Sequence, residues 1–172
     1  MRNWLERVVV GLNLCPFAGK PAAQERVRYS VSPAEDEEGL LEQLQAELER
    51  LDTTPSSELE TTLLIIPRLF DEFLDYKEFL KRADSLLRRG HWDGIYQVAS
   101  FHPHYQFANT APGDAENLTN RAPYPVVHII REASIEKALA HYPNAGQIPE
   151  NNILRMNALS DGEKQRLFAY LF

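Results

Sequence analysis

The chain has 172 residues, 44% of them hydrophobic and 10% aromatic, a composition that folds around a core of its own and argues against a disordered or fibrous chain. Its formal charge of −7 is unevenly placed: residues 35–60 carry ten acids and a single base, Arg50, which leaves seventeen bases against fifteen acids elsewhere. No basic stripe remains to hold a phosphate backbone, so nucleic acid is disfavoured as a partner, and the acidic stretch reads as a solvated helix face.

The first nineteen residues, MRNWLERVVVGLNLCPFAG, pair early arginines with a short apolar run. Glu6 and Asn13 interrupt that run, and the large Leu14 precedes Cys15 where lipoprotein cleavage wants a small residue. No window approaches the ~18 apolar residues of a membrane span. The lone cysteine, Cys15, cannot close an internal disulfide. A cytoplasmic protein without a membrane partner is the expectation.

Trp4, Val8 and Leu12 recur at spacing four and predict a first helix, which Gly11 and Pro16 end, so that Cys15 falls on a turn. Val27–Val31 alternates as a strand does, and Ser32-Pro33-Ala34-Glu35 offers a capping box with proline at the first helical position. In the helix beyond, Leu40, Leu44, Leu48 and Leu51 form one stripe with Leu41 beside it, and the acids fill the opposite face. Residues 62–67, TLLIIP, are continuously apolar, the mark of a strand covered on both faces. Asp71 is placed to cap a helix through Phe73, Tyr76, Leu80, Ala83 and Leu87, ending at Gly90 with Arg88 and Arg89 in its last turn.

Residues 94–101 give a third strand and residues 126–130 a fourth; Ser134 is then placed to cap a short helix through His141. Between that helix and a final one opened by the Ser160–Glu163 capping box, which carries Leu167, Phe168 and Leu171, no period is visible. Strands alternating with helices predict a single α/β domain over residues 1–172, a layered fold with a mixed or mostly parallel sheet of about four strands.

Residues 102–123, HPHYQFANTAPGDAENLTNRAP, form a connection longer than such domains use without purpose. Tyr105 and Phe107 anchor it, and its short polar side chains can satisfy loop backbone, so an ordered loop is expected at the end of a central strand, where α/β proteins gather ligands. His102 is the candidate proton donor or acceptor, against the alternative that it fixes the loop through a backbone hydrogen bond. His102 and His104 form an H-x-H pair that Asp114, Glu116 or His128 would have to complete as a metal site, but Pro103 bends that geometry. His128, on a strand face with Val126 and Ile130, reads as a satisfied core histidine, and His91 and His141 as surface or capping residues. Arg121 with Asn120 is a candidate anion clamp, an ion pair to Asp114 or Glu116 being the competing explanation. Cys15 is either a nucleophile or ligand, or a small buried hydrophobe.

The segments NLCPFA, QVASFHPHYQF and TNRAPYPVVHIIREAS together resemble a bacterial family of small proteins catalogued as a domain of unknown function, over residues 4 to about 139. The central block is similar to the family's F-H-P-x-Y-x-F pattern, which marks Phe101, His102, Pro103, Tyr105 and Phe107 and leaves His104 on the free position. Cys15, Pro16, Phe17, Asn120, Arg121, Pro123 and Pro125 also fall on motif positions. The resemblance implies no activity, cofactor or partner.

From these residues the leading expectation is a small-molecule-binding, enzyme-like domain that takes an anionic metabolite at the loop after the third strand. His102, Tyr105 and Cys15 would carry the chemistry there, and Arg121, Asn120 and Phe107 would hold the substrate. A non-catalytic adaptor that docks a partner protein through its acidic helix or aromatic loop is the rival, and a histidine-based metal-binding protein the third reading. No cofactor is expected.

Overall fold

The computed structural model describes residues 1–140 and 142–172. Four strands, β1 (Val27–Val31), β2 (Thr61–Ile65), β3 (Tyr96–Phe101) and β4 (Val126–Arg131), form one mixed sheet in the order β1-β2-β4-β3. β1 and β2 are parallel, and β4 runs antiparallel to both β2 and β3. The expected α/β layers are present. The third strand lies at an edge of the sheet and not at its centre, because β4 returns antiparallel between β2 and β3.

Side chains alternate between the two faces of this sheet. One face presents Leu64, Val98, Val127 and Ile129 to α3 (Glu37–Thr53) and α4 (Phe73–Arg89), which lay down Leu40, Leu44, Leu48 and Leu51 and then Tyr76, Phe79, Ala83 and Leu87. The leucine stripe of α3 read from the sequence is in the main core, each fully buried leucine contributing about 1.5–3 kcal/mol relative to exposure; in the α4 stripe Tyr76, Ala83 and Leu87 are buried as expected, Phe73 and Leu80 are only partly buried, and Phe79 is buried beside them. At the foot of this layer the Arg131 guanidinium donates to the carbonyls of Leu51, Thr54 and Leu59, closing the end of α3.

The helix starts differ from the expected caps for local reasons. The Ser32 backbone N–H still donates to Ile65 O at 2.8 Å, so Ser32 belongs to the end of the ladder; Asp36 caps α3, accepting from Gly39 N at 2.8 Å. α4 begins at Phe73 with no side-chain cap, and Asp71 caps nothing. α5 (Glu132–Leu139) begins directly at the end of β4, which places Ser134 inside its first turn. His141 lies outside the described residues. The Ser160–Glu163 capping box is formed and opens α7 (Asp161–Leu167).

On the second face of the sheet the N-terminal segment packs first. A short helix, α1 (Arg2–Trp4), widens into π-helical turns over Leu5–Val10, with Gly11 N bonding Glu6 O at 2.9 Å. The π turns bring Trp4, Leu5, Val8 and Val9 to one side, where they meet Leu118, Ala122, Met156, Leu159 and Phe168. α2 (Gly19–Ala23) follows Cys15. α6 (Ile148–Asn157), unseen in the sequence because Met156 is its only buried residue, joins this layer, and Asn152 Nδ2 donates to Leu14 O at 2.9 Å. Among the described residues no helix is long and apolar enough to cross a membrane.

Candidate functional site

Residues 102–123 fold as an ordered loop with a turn of 3-10 helix over Ala115–Asn120. Gln106, Thr110, Asp114, Asn117 and Thr119 bond the loop's own backbone. His102 is buried between Phe73 and Tyr76, its ring stacked on Tyr76 with centroids 5.4 Å apart. His102 Nδ1 accepts from the His104 backbone N–H at 2.9 Å, so Nε2 carries the proton and donates to Phe70 O at 2.8 Å. Burial pushes this imidazole below its ordinary pKa, and both of its nitrogens are engaged.

The remaining candidates on the loop are set in the same framework. Arg121 donates through Nε to Tyr105 O at 3.2 Å and through Nη2 to Pro112 O at 2.8 Å, bonding carbonyls where an ion pair to Asp114 or Glu116 was the alternative. Its Nη1 has no partner among the described residues, and burial lowers its pKa. Asn120 Nδ2 donates to Ser100 O, and the Asn120 carbonyl accepts from His102 N. Tyr105 packs its ring between Phe73 and Phe107, and Phe107 is exposed at the tip. At the centre sits Asn117, fully buried. Its Oδ1 accepts from Phe107 N and Thr110 Oγ1, and its Nδ2 donates to Ala111 O. Nothing in the composition of this polar loop singles Asn117 out. Among the described residues no group of three or more His, Cys, Asp or Glu is disposed to hold a metal ion.

A different part of the molecule is concave. On the second sheet face Ile65 and Val126 are buried with Leu63 in a cluster that Met1, Val27, Tyr29 and Phe101 pack against, and beside this covered end lies a cleft of about 650 Å³. That volume lies in the range of small-molecule sites. Val27, Thr61, Leu63, His128 and Ile130 form its floor, Cys15 to Pro21 one wall, and Ser134, Ile135 and Ala138 of α5 the other. Of the residues chosen from the sequence, only Cys15 lines it.

His128 is the polar centre of that floor. The Thr61 hydroxyl has one hydrogen, which it gives to Ile129 O at 2.5 Å, so Thr61 Oγ1 accepts from His128 Nε2–H at 2.7 Å. The imidazole is held as the Nε2–H tautomer, and surrounding apolar groups lower its pKa to about 4, so it is neutral near pH 7. Burial pushes the Cys15 thiol up, outweighing the N–H groups of Phe17 and Ala18 that face its sulfur, so Cys15 presents a thiol and not a thiolate. At the rim the Arg26 guanidinium pairs with Glu60 at 2.6 Å, and Lys20 is exposed.

A family described as "Protein of unknown function (DUF1415)" matches residues 1–166. The chain belongs to this family. No curated protein and no solved structure matches it. In this DUF1415 protein, NLCPFA forms a wall of the cleft, while FHPHYQF and TNRAPYP build the loop framework, with Trp4 Nε1 and the Tyr170 hydroxyl both donating to Arg121 O.

Proposed function

We propose that the protein binds a small, largely apolar molecule in the cleft on the second face of its sheet. The observation that carries this reading is the cleft itself: a cavity of about 650 Å³ lined by Leu5, Phe17, Val27, Leu63, Ile130 and Ile135, with a neutral histidine in its floor. Apolar surface of this extent, left uncovered beside a well-packed core, costs free energy unless something occupies it. The same reading keeps the protein in the cytoplasm, supported by the single cysteine, which cannot close an internal disulfide.

A second reading, an anionic metabolite held at the loop by Arg121, is favoured by one observation: Nη1 of that guanidinium has no partner among the described residues. His102, Asn117 and Asn120 are already bonded to backbone in or beside the loop, which weighs toward the cleft.

Thermal unfolding in the presence of small molecules separates the two readings. A ligand at 100 times its dissociation constant adds about 2.7 kcal/mol, which in a domain of this size raises Tm by roughly 5–10 °C. Apolar compounds are expected to raise Tm in the wild type and not in Ala138→Trp, where the indole fills the space between α5 and the sheet. A rise with phosphorylated or carboxylated metabolites alone, lost in Arg121→Ala and kept in Ala138→Trp, would reverse the order of the two readings.

A further inference from the structure

We infer that the cleft takes an uncharged apolar molecule carrying a hydroxyl or N–H donor, and that this donor bonds Nδ1 of His128. The inference rests on the cleft being the binding site and adds which end of the ligand points inward.

The geometry forces the choice of tautomer. Thr61 Oγ1 lies 2.5 Å from the Ile129 carbonyl and 2.7 Å from His128 Nε2; a carbonyl only accepts, so the single hydroxyl hydrogen goes to Ile129. The histidine must then donate from Nε2, which leaves Nδ1 with a lone pair. Among the described residues Nδ1 has no hydrogen-bond partner, yet it is not among the atoms sealed from solvent without a partner, which are Gln43 Oε1 and Thr62 Oγ1. His128 opens onto the cleft, so that is where its lone pair is available.

The neighbours of His128 cannot satisfy this acceptor. Across the sheet, on the same face, it is flanked by Leu63 on β2 and Ala99 on β3, and along β4 by Val126 and Ile130. None carries a side-chain donor. An anionic group brought to Nδ1 would face lone pair against lone pair on an apolar floor, and a plain hydrocarbon would leave the acceptor dry and unpaired. A phenol, an alcohol or an amide N–H supplies what is missing, and the surrounding Leu5, Phe17 and Ile135 cover its apolar body.

The test compares 4-alkylphenols, ethyl to hexyl, with their methyl ethers, titrated calorimetrically into the full chain. The ethers keep shape and apolar area and lack the donor. The phenols are expected to bind about three- to tenfold tighter than the ethers, the range of one net hydrogen bond. The advantage should vanish in His128→Leu. Because that variant also takes a partner from Thr61, a second measurement uses the wild type: the unprotonated ring-nitrogen ¹⁵N resonance of His128 should move when the phenol is added and stay when the ether is. Equal affinity for phenol and ether would overturn the inference and leave the cleft as the binding site. Binding of neither would overturn both.

Discussion

A histidine whose two ring nitrogens both bond backbone atoms fixes a chain segment, whereas one with an unused nitrogen offers a lone pair to whatever comes near. His102 is of the first kind and His128 of the second. Both are held neutral by burial, with consequences for pH. The folded pKa of His128, about 4, lies below the ordinary 6.5, so the unfolded chain takes up the proton first as pH falls. The stability tied to this group is complete above pH 6.5 and is lost as pH falls through 4, by about 3 kcal/mol in all. His102 shifts in the same direction. Urea unfolding at pH 7 and pH 4.5 is expected to show a smaller loss on acidification in His128→Leu than in the wild type; an equal loss would refute the buried neutral imidazole. The two histidines also show how far the residue scale was legible. His102 stood out by its motif, and the backbone-fixing alternative for it describes the hydrogen bonds it makes. His128 read as a core residue because its strand face is apolar. That this face opens to a cleft depends on what the rest of the chain leaves uncovered.

Among the elements, α3 and α4 were legible because each repeats its apolar residues at helical spacing for about three turns or more. The first helix was legible in position and not in kind. Trp4, Val8 and Leu12 fit an α-helix, but the packing that buries Trp4, Leu5, Val8 and Val9 together selects wider π turns. Gly11 makes that possible: a Cβ there would stand 2.5 Å from the Arg7 carbonyl oxygen. Gly11→Ala is accordingly expected to cost roughly 1–3 kcal/mol, as overpacking does, and to lower Tm by several degrees. Gly113→Ala, where nothing lies within 4 Å, is the control and should change little. If both variants melt like the wild type, the π turns do not depend on Gly11. α6 was illegible because one buried residue makes no period. The expected caps at Ser32, Asp71 and Ser134 matched short patterns, but a ladder bond holds Ser32, α5 starts at the end of β4 ahead of Ser134, and α4 starts at Phe73 without a side-chain cap.

For the whole molecule, the sheet order places the two strands with the least exposed backbone, β2 and β4, at the centre. Amide exchange followed by NMR should be slowest at Leu63, Leu64, Val127 and Ile129, and faster at Arg28 and Gln97 on the edge strands, since interior ladders open only with the fold. Faster exchange at Val127 than at Gln97 would contradict the order. This arrangement also accounts for the cleft. α3 and α4 pack over one face, while the N-terminal layer and α5 meet the other face from opposite sides without closing over His128.

The sequence by itself determined the α/β class, four strands within two residues of their ends, the two helices of the main core and the ordered loop, because each is written in a local period or a local excess of turn residues. Strand order, the edge position of β3 and the partners of Arg121 and His102 were decided only in three dimensions, since they depend on pairings between residues far apart in the chain. The cleft belongs to the second group for the same reason. Cys15, Val27, Thr61, His128 and Ile135 have no common period; they become one surface only when β4 lies against β2 and the N-terminal turn crosses the sheet.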